Sequence, residues 1–306
     1  MQKRIFLVMG WLGVMLSALS QAAPARMPIT VVASVEPLSM LVREIYADQV
    51  NVKTLLLPNQ TPHFAAFTPA QAQQVRDANL LVWLGADAEP NLQALIEKSR
   101  GQRLAVLGLA GLTVRYGHHH DDEAHEHHES DLDPHLWLSP DNMLLLARQL
   151  VSLAPSLNLN QARAQRAYDA FDKSLASAIA EQKNRLSAVQ QQAWLSQHNP
   201  WGYLADALAL QPPLMISESL QSSTSARRFT MLVQQMKTQS VQCAMAEPEA
   251  RRPLLERLCH DNCRVVDADP LGRDLTNAHY TDLINHLAQR FLLCLGGLPG
   301  PVAPAP

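Results

Sequence analysis

The stretch Asn160–Gln191, NQARAQRAYDAFDKSLASAIAEQKNRLSAVQQ, contains neither glycine nor proline. Its apolar residues recur at intervals of three and four, the spacing of one face of an α-helix. They are Ala164, Ala167, Tyr168, Phe171, Leu175, Ala178, Ile179, Leu186 and Val189. A helix of roughly 30 residues at about 1.5 Å per residue is about 45 Å long, which is longer than one domain. The spacing therefore predicts one long, rigid helix over residues 159–191 that joins two lobes.

On the N-terminal side of this helix, apolar strand segments alternate with helical segments. Helices are predicted at about Leu38–Tyr46 and at Ala70–Asp77, the second opened by a Thr68 cap and Pro69. The strands are predicted at Ile29–Val35, Val50–Leu57, Leu80–Leu84 and Leu104–Leu107. Such alternation is typical of a largely parallel, doubly wound sheet. It predicts an N-terminal α/β lobe over residues 23–158.

The same alternation returns beyond the long helix. Strands are predicted at Ala193–Gln197, Leu214–Ser217, Val241–Ala246 and Arg264–Asp267. Helices are predicted at Gly202–Leu210, Ser225–Lys237, Glu249–Leu258 and Tyr280–Leu293. The expected fold is α/β, with two lobes that each hold a four-stranded, mostly parallel sheet and flanking helices. The C-terminal lobe covers residues 192–295, and the glycine- and proline-rich tail 296–306 is expected to be disordered.

The N-terminus has the features of a secretory signal peptide over residues 1–22. Lys3 and Arg4 precede an apolar segment, and small residues follow before Ala23, where the mature chain is expected to begin. The alternative is a membrane anchor, for which the segment is short. No cysteine directly follows the apolar segment, so a lipid-anchored form is not expected. We predict export to an oxidising compartment.

Composition limits the classes of partner. About 280 mature residues fit two domains of ordinary size. The formal net charge is -3 and no basic block is present, which argues against binding to nucleic acid or to an anionic membrane. We expect a monomer.

The four cysteines lie in the last quarter of the chain and allow three pairings. Disulfides are the default in an exported protein. We favour Cys243 with Cys294, between a strand and the last helix, and Cys259 with Cys263 as a local loop. The rival is a thiolate metal site built from Cys259, His260 and Cys263, whose spacing is unusual for zinc.

Half of the 12 histidines lie in one acidic run, Gly117–Glu129, with the sequence GHHHDDEAHEHHE. Imidazole mixed with carboxylate suits borderline divalent metals such as zinc. A solvated loop or a tag is the plain alternative, although the internal position argues against a tag. We expect the loop 117–130 to be a flexible auxiliary collector of metal. Its histidines are His118, His119, His120, His125, His127 and His128.

A fixed metal site needs ligands on ordered backbone, and four residues lie where they could be such ligands. His135 precedes a helix start at Ser139-Pro140, while His63, His198 and Asp269 follow predicted strands. In parallel sheets, ligands bind beyond the carboxyl ends of strands. Taken singly, each histidine is more often structural, and His260, His279 and His286 keep that interpretation. Together the four predict one metal site between the lobes.

Five segments carry a family resemblance. The segments are Pro62-His63-Phe64, Asp133–Pro140, His198–Tyr203, Ala246-Glu247-Pro248 and Asp269–Gly272. Through them the chain resembles the zinc-binding periplasmic proteins of bacterial ABC importers, within the wider metal-binding solute-binding family, over essentially the whole mature chain. The resemblance implies two lobes joined by a rigid helix and a Zn²⁺ ion held by His63, His135, His198 and, in members that use it, Asp269. It also supports the Cys243–Cys294 pairing.

The resemblance further implies a periplasmic protein that delivers zinc to an ABC permease, and a periplasmic zinc-donor protein is a second conceivable partner. Phe64 and Asn199 depart from the family, which commonly has acidic residues there that could orient the adjacent histidines, so zinc affinity and this orienting role do not carry over from the resemblance. Manganese binders of the family use two histidines and two carboxylates, so His198 favours zinc. The alternatives are a manganese or iron carrier, a zinc buffer, or a zinc hydrolase. No HExxH motif supports a hydrolase, although Glu218 or Glu247 could be its base.

Overall fold

The computed structural model describes residues 29–62, 65–116, 132–217, 220, 224–259 and 263–296. The predicted signal peptide and nearly all of the predicted tail lie outside these residues. In the part of the chain that is described, no helix combines the length and the apolar content needed to cross a bilayer.

The N-terminal lobe is built on a sheet of four parallel strands. They are β1 (Ile29–Ala33), β2 (Val50–Thr54), β3 (Leu80–Trp83) and β4 (Gln102–Ala105), in the order β2-β1-β3-β4. Four helices flank this sheet: α1 (Glu36–Tyr46), α2 (Pro69–Asp77), α3 (Pro90–Ile96) and α4 (Pro140–Leu153). Both faces of the sheet are covered, which explains why β3 is buried throughout.

The C-terminal lobe repeats this architecture. Its strands are β5 (Leu195–Ser196), β6 (Leu214–Met215), β7 (Cys243–Ala246) and β8 (Arg264–Asp267), all parallel and in the order β6-β5-β7-β8. The helices of this lobe are α6 (Gly202–Ala207), α7 (Ala226–Thr238), α8 (Arg252–Cys259) and α9 (Tyr280–Leu295). The predicted fold class is therefore confirmed.

The long helix α5 spans Gln161–Leu186 and packs against α1 and α4 of the N-terminal lobe and against α9 of the C-terminal lobe. The Asn160 side chain caps it by accepting a hydrogen bond from the Arg163 amide at 3.0 Å. Its 26 residues make a rod of about 39 Å, shorter than predicted. The helix ends at Leu186, but the chain continues in a turn in which the Val189 amide donates to the Leu186 carbonyl. This turn keeps Val189 buried, which explains why the apolar spacing extends beyond the end of the helix.

A single large apolar core runs beneath both lobes. Alternate residues of the strands point into it, such as Leu80 and Val82 of β3 and Cys243 and Met245 of β7. The intervening residues of each strand face smaller cores of the individual lobes. The aromatic centre of the large core includes Trp137, Phe171, Trp194, Trp201, Tyr280 and Phe291. The lobes are therefore joined by packing as well as by α5.

Two hydrogen bonds to Trp137 add to this junction. The indole Nε1 of Trp137 donates to the carbonyl of Pro270 at 2.8 Å. The hydroxyl of Tyr280 donates to the carbonyl of Trp137 at 2.7 Å. All three residues are buried, so each bond satisfies a polar group that water cannot reach.

Both predicted disulfides are confirmed. Cys243 of β7 is bonded to Cys294 of α9, and Cys259 is bonded to Cys263. The first ties a strand to the last helix, as predicted, and the second closes a short loop after α8. The rival thiolate metal site is wrong, because two of its three proposed ligands are consumed in a disulfide.

Candidate metal centre

His135 stands at the start of a turn that leads into α4. Its backbone amide donates to Asp133 Oδ1 at 3.0 Å, and its ring Nδ1 lies 2.7 Å from the same oxygen. The Ser139 side chain then caps α4 by accepting from the Asn142 amide, as the Ser139-Pro140 pattern predicts. The His135 ring is buried. One carboxylate therefore fixes both the backbone and the ring.

His198 follows β5 in the C-terminal lobe, and a carboxylate from the neighbouring strand meets it. Its Nδ1 lies 2.5 Å from Glu247 Oε1, and Glu247 directly follows β7, which pairs with β5. Because the carboxyl ends of parallel neighbours lie at one edge of a sheet, the two residues come together. Both side chains are buried. A buried carboxylate at Nδ1 favours the tautomer that keeps the proton there and leaves Nε2 as the basic nitrogen.

The two histidine rings meet between the lobes. Their centroids are 5.4 Å apart. Two imidazoles that bind one tetrahedral zinc ion through Zn–N bonds of about 2.0–2.1 Å would have centroids about 5 Å apart. The ring of Trp137 packs edge-on against His135 at 5.2 Å, which limits access of water on that side. The spacing therefore fits two ligands of one ion.

Asp269 lies at the carboxyl end of β8 and is held by Arg273. The Nε and Nη2 atoms of Arg273 donate to the two carboxylate oxygens at 2.8 and 3.1 Å. The backbone amides of Leu271 and Arg273 donate to the same carboxylate at 3.0 and 2.9 Å. The side chain is buried. In this arrangement the carboxylate binds an arginine of its own lobe.

His63 and the six histidines of the loop 117–130 lie outside the described residues. The loop that carries His63 is described on both sides of it, and its Gln60 side chain accepts from the Leu57 amide at 3.0 Å and donates to the Ala66 carbonyl at 2.8 Å. Among residues that the structure does describe, no three histidine, cysteine or carboxylate side chains form a group able to hold a metal ion. Of the sequence-predicted ligands, the described structure brings together His135 and His198.

Two other histidines have structural surroundings. His279 caps α9, and its backbone amide donates a hydrogen bond to Oδ2 of Asp282 at 2.9 Å. His286 lies 3.2 Å from Asp274 on a partly exposed surface. The structural interpretation given to them from the sequence agrees with these contacts. His260 lies outside the described residues.

Sequence reasoning did not assign the partners of the histidines. Asp133 lies two residues before His135, in the segment that carried the family resemblance. Glu247 follows a strand in the same way as His198, so the rule that selected the histidines could have selected it too. Arg273 had no such signal. Glu218, the other base considered for a hydrolase, lies outside the described residues.

Comparison with known proteins agrees with this architecture. The high-affinity zinc uptake system protein ZnuA of Yersinia pestis is 26% identical over 307 residues, which covers 91% of this chain and 95% of that protein. The corresponding protein of Paracoccus denitrificans is also 26% identical and covers 92% and 97%. Among solved structures, a crystal structure of ZnuA has a TM-score of 0.73 at 21% identity and covers 88% of this chain and all of that one.

A cadmium-bound periplasmic metal binding protein from Candidatus Liberibacter asiaticus has the same fold, with a TM-score of 0.71 at 18% identity. The model of one protein family, described as zinc-uptake complex component A, periplasmic, matches residues 31–294. This match spans both lobes, the helix between them and both histidines of the site. The chain therefore belongs to the family of periplasmic A components of zinc-uptake complexes.

Proposed function

We propose that this protein captures Zn²⁺ in the periplasm and delivers it to the membrane permease of an ABC importer. The observation that carries the proposal is the pair His135 and His198, which come from two different lobes and whose ring centroids lie 5.4 Å apart. Each ring has a carboxylate at Nδ1, the arrangement typical of histidines that bind metal. His63 is the third proposed ligand. Family membership supports the same role.

Zinc is the proposed cargo because the donor set is rich in imidazole. Manganese prefers carboxylate and water ligands, whereas zinc accepts three imidazoles and one further donor. Asp133 and Glu247 do not act as ligands in this proposal, since each faces the Nδ1 side of its histidine. We propose Asp269 or a water molecule as the fourth ligand of a roughly tetrahedral site.

The family works with an ABC permease, and we propose that this chain does so as a monomer. A periplasmic zinc-donor protein remains a proposed second partner. We propose that residues 1–22 direct export and are removed. The proposed lobes are 23–158 and 192–295, joined by the helical segment 159–191, with the tail 296–306 outside them. Helix α5 packs against α1 and α4 of one lobe and α9 of the other, which supports the division of the chain into two lobes at this helix.

The proposal is tested by zinc titration against a competing chelator. The variants His63→Ala, His135→Ala and His198→Ala should each lower zinc affinity by more than the roughly 10- to 100-fold typical of losing an orienting partner. The control is His286→Ala, which changes a histidine on α9 beside Asp274 and should bind zinc like the parent protein. Unchanged affinity in His135→Ala or His198→Ala would contradict the proposal.

We propose an auxiliary role for the loop 117–130. Deleting residues 118–129 should remove the weak additional zinc-binding sites and leave one tight site. A zinc titration that measures the number of ions bound per chain and their affinities tests this expectation. If the tight site disappears with the loop, the protein is a zinc buffer and no fixed site exists. The described stems of the loop, which meet in the antiparallel bridge between Tyr116 and Leu132, would stay intact in this deletion.

Catalysis is not proposed. A zinc hydrolase needs a base that can reach a metal-bound water, and Glu247 instead lies against Nδ1 of His198. The zinc-loaded protein should not turn over ester, peptide or phosphate substrates. Turnover that is lost in Glu247→Gln would establish the rival function.

A further inference from the structure

The carboxylate of Asp269 has no open position for a metal ion in the arrangement described above. A carboxylate has about four lone-pair sites, and here four N–H groups of the protein donate to it. Two come from the Arg273 guanidinium and two from backbone amides. A metal ion could bind this carboxylate only after breaking one of these bonds. Displacing an amide would require the loop after β8 to rearrange.

Arg273 is itself fixed at several points. Its Nη1 donates to Glu249 Oε1 at 2.7 Å and to the backbone carbonyl of Gln60 at 3.1 Å. Gln60 lies in the other lobe, three residues before His63. The Arg273 side chain is only 13% exposed. Removing Asp269 from it would leave a mostly buried cation with one carboxylate in place of two, which is unfavourable.

The fork of the guanidinium matters as well as its charge. Two parallel N–H bonds to the two oxygens of one carboxylate form the strongest and most directional type of ion pair. An ammonium group could neutralise Asp269 but could not cover both of its oxygens at once. Arginine at this position therefore competes with a cation for Asp269 more effectively than lysine would.

We propose that Arg273 withholds Asp269 from the bound ion and thereby selects zinc over manganese. The inference rests on the proposed function and resolves the identity of the fourth ligand: histidines hold the ion, and the remaining position is filled by water. Without a carboxylate in the ligand set, water is the one hard donor beside the imidazoles, which suits zinc better than manganese. Arg273 is thus a specificity-determining residue that acts through Asp269.

The test compares zinc and manganese affinities by chelator competition in the parent protein, Arg273→Gln and the double variant Arg273→Gln with Asp269→Asn. Arg273→Gln opens the two lone-pair sites that the guanidinium covers. It should raise manganese affinity relative to zinc by about tenfold, since a carboxylate joins the ligands. The double variant should lose this gain, because an amide replaces the released carboxylate.

The control is Arg252→Gln. Arg252 also pairs with an aspartate of this lobe, Asp267, but on the exposed surface. Losing the Arg252 guanidinium should therefore leave the ratio of zinc to manganese affinity unchanged. Arg273→Lys should shift the preference in the same direction as Arg273→Gln and by less. It serves as the second variant if the glutamine variant does not fold, as judged by thermal unfolding.

The single variant Asp269→Asn separates this inference from the proposed function. If Arg273 withholds the carboxylate, zinc affinity in Asp269→Asn should stay within about threefold of the parent value, because no ligand has been lost. A loss comparable to that of His135→Ala would overturn the inference and leave the zinc carrier standing. A parent protein without tight zinc binding would overturn both.

Discussion

The Nδ1 atom of His198 lies 2.5 Å from an oxygen of Glu247, and both side chains are buried at the carboxyl edge of the second sheet. A carboxylate in this position orients the ring and fixes the tautomer in which Nε2 is the nitrogen that would bind a metal ion. Glu247→Gln keeps the shape of the side chain and removes its charge. We expect zinc affinity to fall by about 10- to 100-fold, measured by chelator competition.

The matched control for this prediction is Glu256→Gln. Glu256 also pairs with a basic side chain, Arg252, but it is exposed. It should bind zinc like the parent protein. Equal affinities of the Glu247→Gln variant and the parent would show that the contact does not act on the metal site.

Gln60 supports a second prediction about the site. Its side chain bonds to three groups of the loop that carries His63 or of the adjacent helix: the Leu57 amide, the Ala66 carbonyl and the Gln71 side chain at 2.9 Å. Replacing it with alanine removes all three bonds. If His63 is a ligand, Gln60→Ala should weaken zinc binding and speed zinc release. Without the three bonds, the loop would have to be ordered when zinc binds, and the entropy cost of this ordering lowers the affinity. Stopped-flow transfer of zinc to a chelator measures the rate.

The control for Gln60→Ala is the same substitution in a variant that lacks His63. In the background of His63→Ala, the Gln60→Ala change should have no further effect on zinc affinity. Additive losses in the double variant would contradict the assigned role of the loop.

The two disulfides should differ in their contribution to stability. Cys243–Cys294 closes a separation of 51 residues and Cys259–Cys263 a separation of four. The loss of chain entropy in the unfolded state predicts a contribution of about 4 kcal/mol for the first and about 2 kcal/mol for the second. Denaturant unfolding of the two double serine variants measures both values. A larger loss in Cys259→Ser with Cys263→Ser would contradict the prediction.

Glu89 gives the protein a pH dependence that is separate from metal binding. It is buried beside a small cavity lined by Ser34, Leu56, Pro62 and Ala65, and its Oε2 accepts from the Leu84 amide at 2.7 Å. Burial raises the pKa of Glu89 from 4.5 to about 7. Between these values the folded chain keeps a proton that the unfolded chain has released. Stability from this group therefore falls as the pH rises through that interval.

The Glu89→Gln variant removes this dependence and keeps an acceptor for the Leu84 amide. The free energy of unfolding of the parent should fall by about 3 kcal/mol relative to the variant as the pH rises from 4.5 to 7. Urea unfolding at a series of pH values measures the difference between the two proteins. Parallel curves would show that Glu89 is ionised in the folded state across this interval.

Much of the fold could be predicted from the sequence because its signals are local. The caps at Thr68 and Ser139 depend on a few adjacent residues, and both helices begin where those residues predict. Strand ends were predicted less well. Leu55 and Leu56 are buried like strand residues, yet they lie beyond the end of β2, so apolar composition extended the prediction too far. Helix α3 was not predicted, because only Leu92 and Ile96 of its seven residues are buried.

The site was only partly predictable, for a different reason. Strand ends and a helix cap selected His135 and His198, since both features can be seen in short segments. The bond from Arg273 to Gln60 joins residues 213 positions apart, and no spacing rule covers such a contact. Asp269 was selected by its position after β8, but the side chain that binds it could be identified only once the loop after β8 was placed in three dimensions.

The single apolar core beneath both lobes has a mechanical consequence. A wide swing of one lobe away from the other would expose Trp137, Phe171 and Tyr280 to water, at a cost of about 1.5–3 kcal/mol for each large side chain. The two halves should therefore melt together in one calorimetric transition. If zinc passes to a permease as proposed, a large clamshell motion is too costly to release it. The energy for extracting the ion would then have to come from the membrane machinery, acting on loops at the mouth of the cleft.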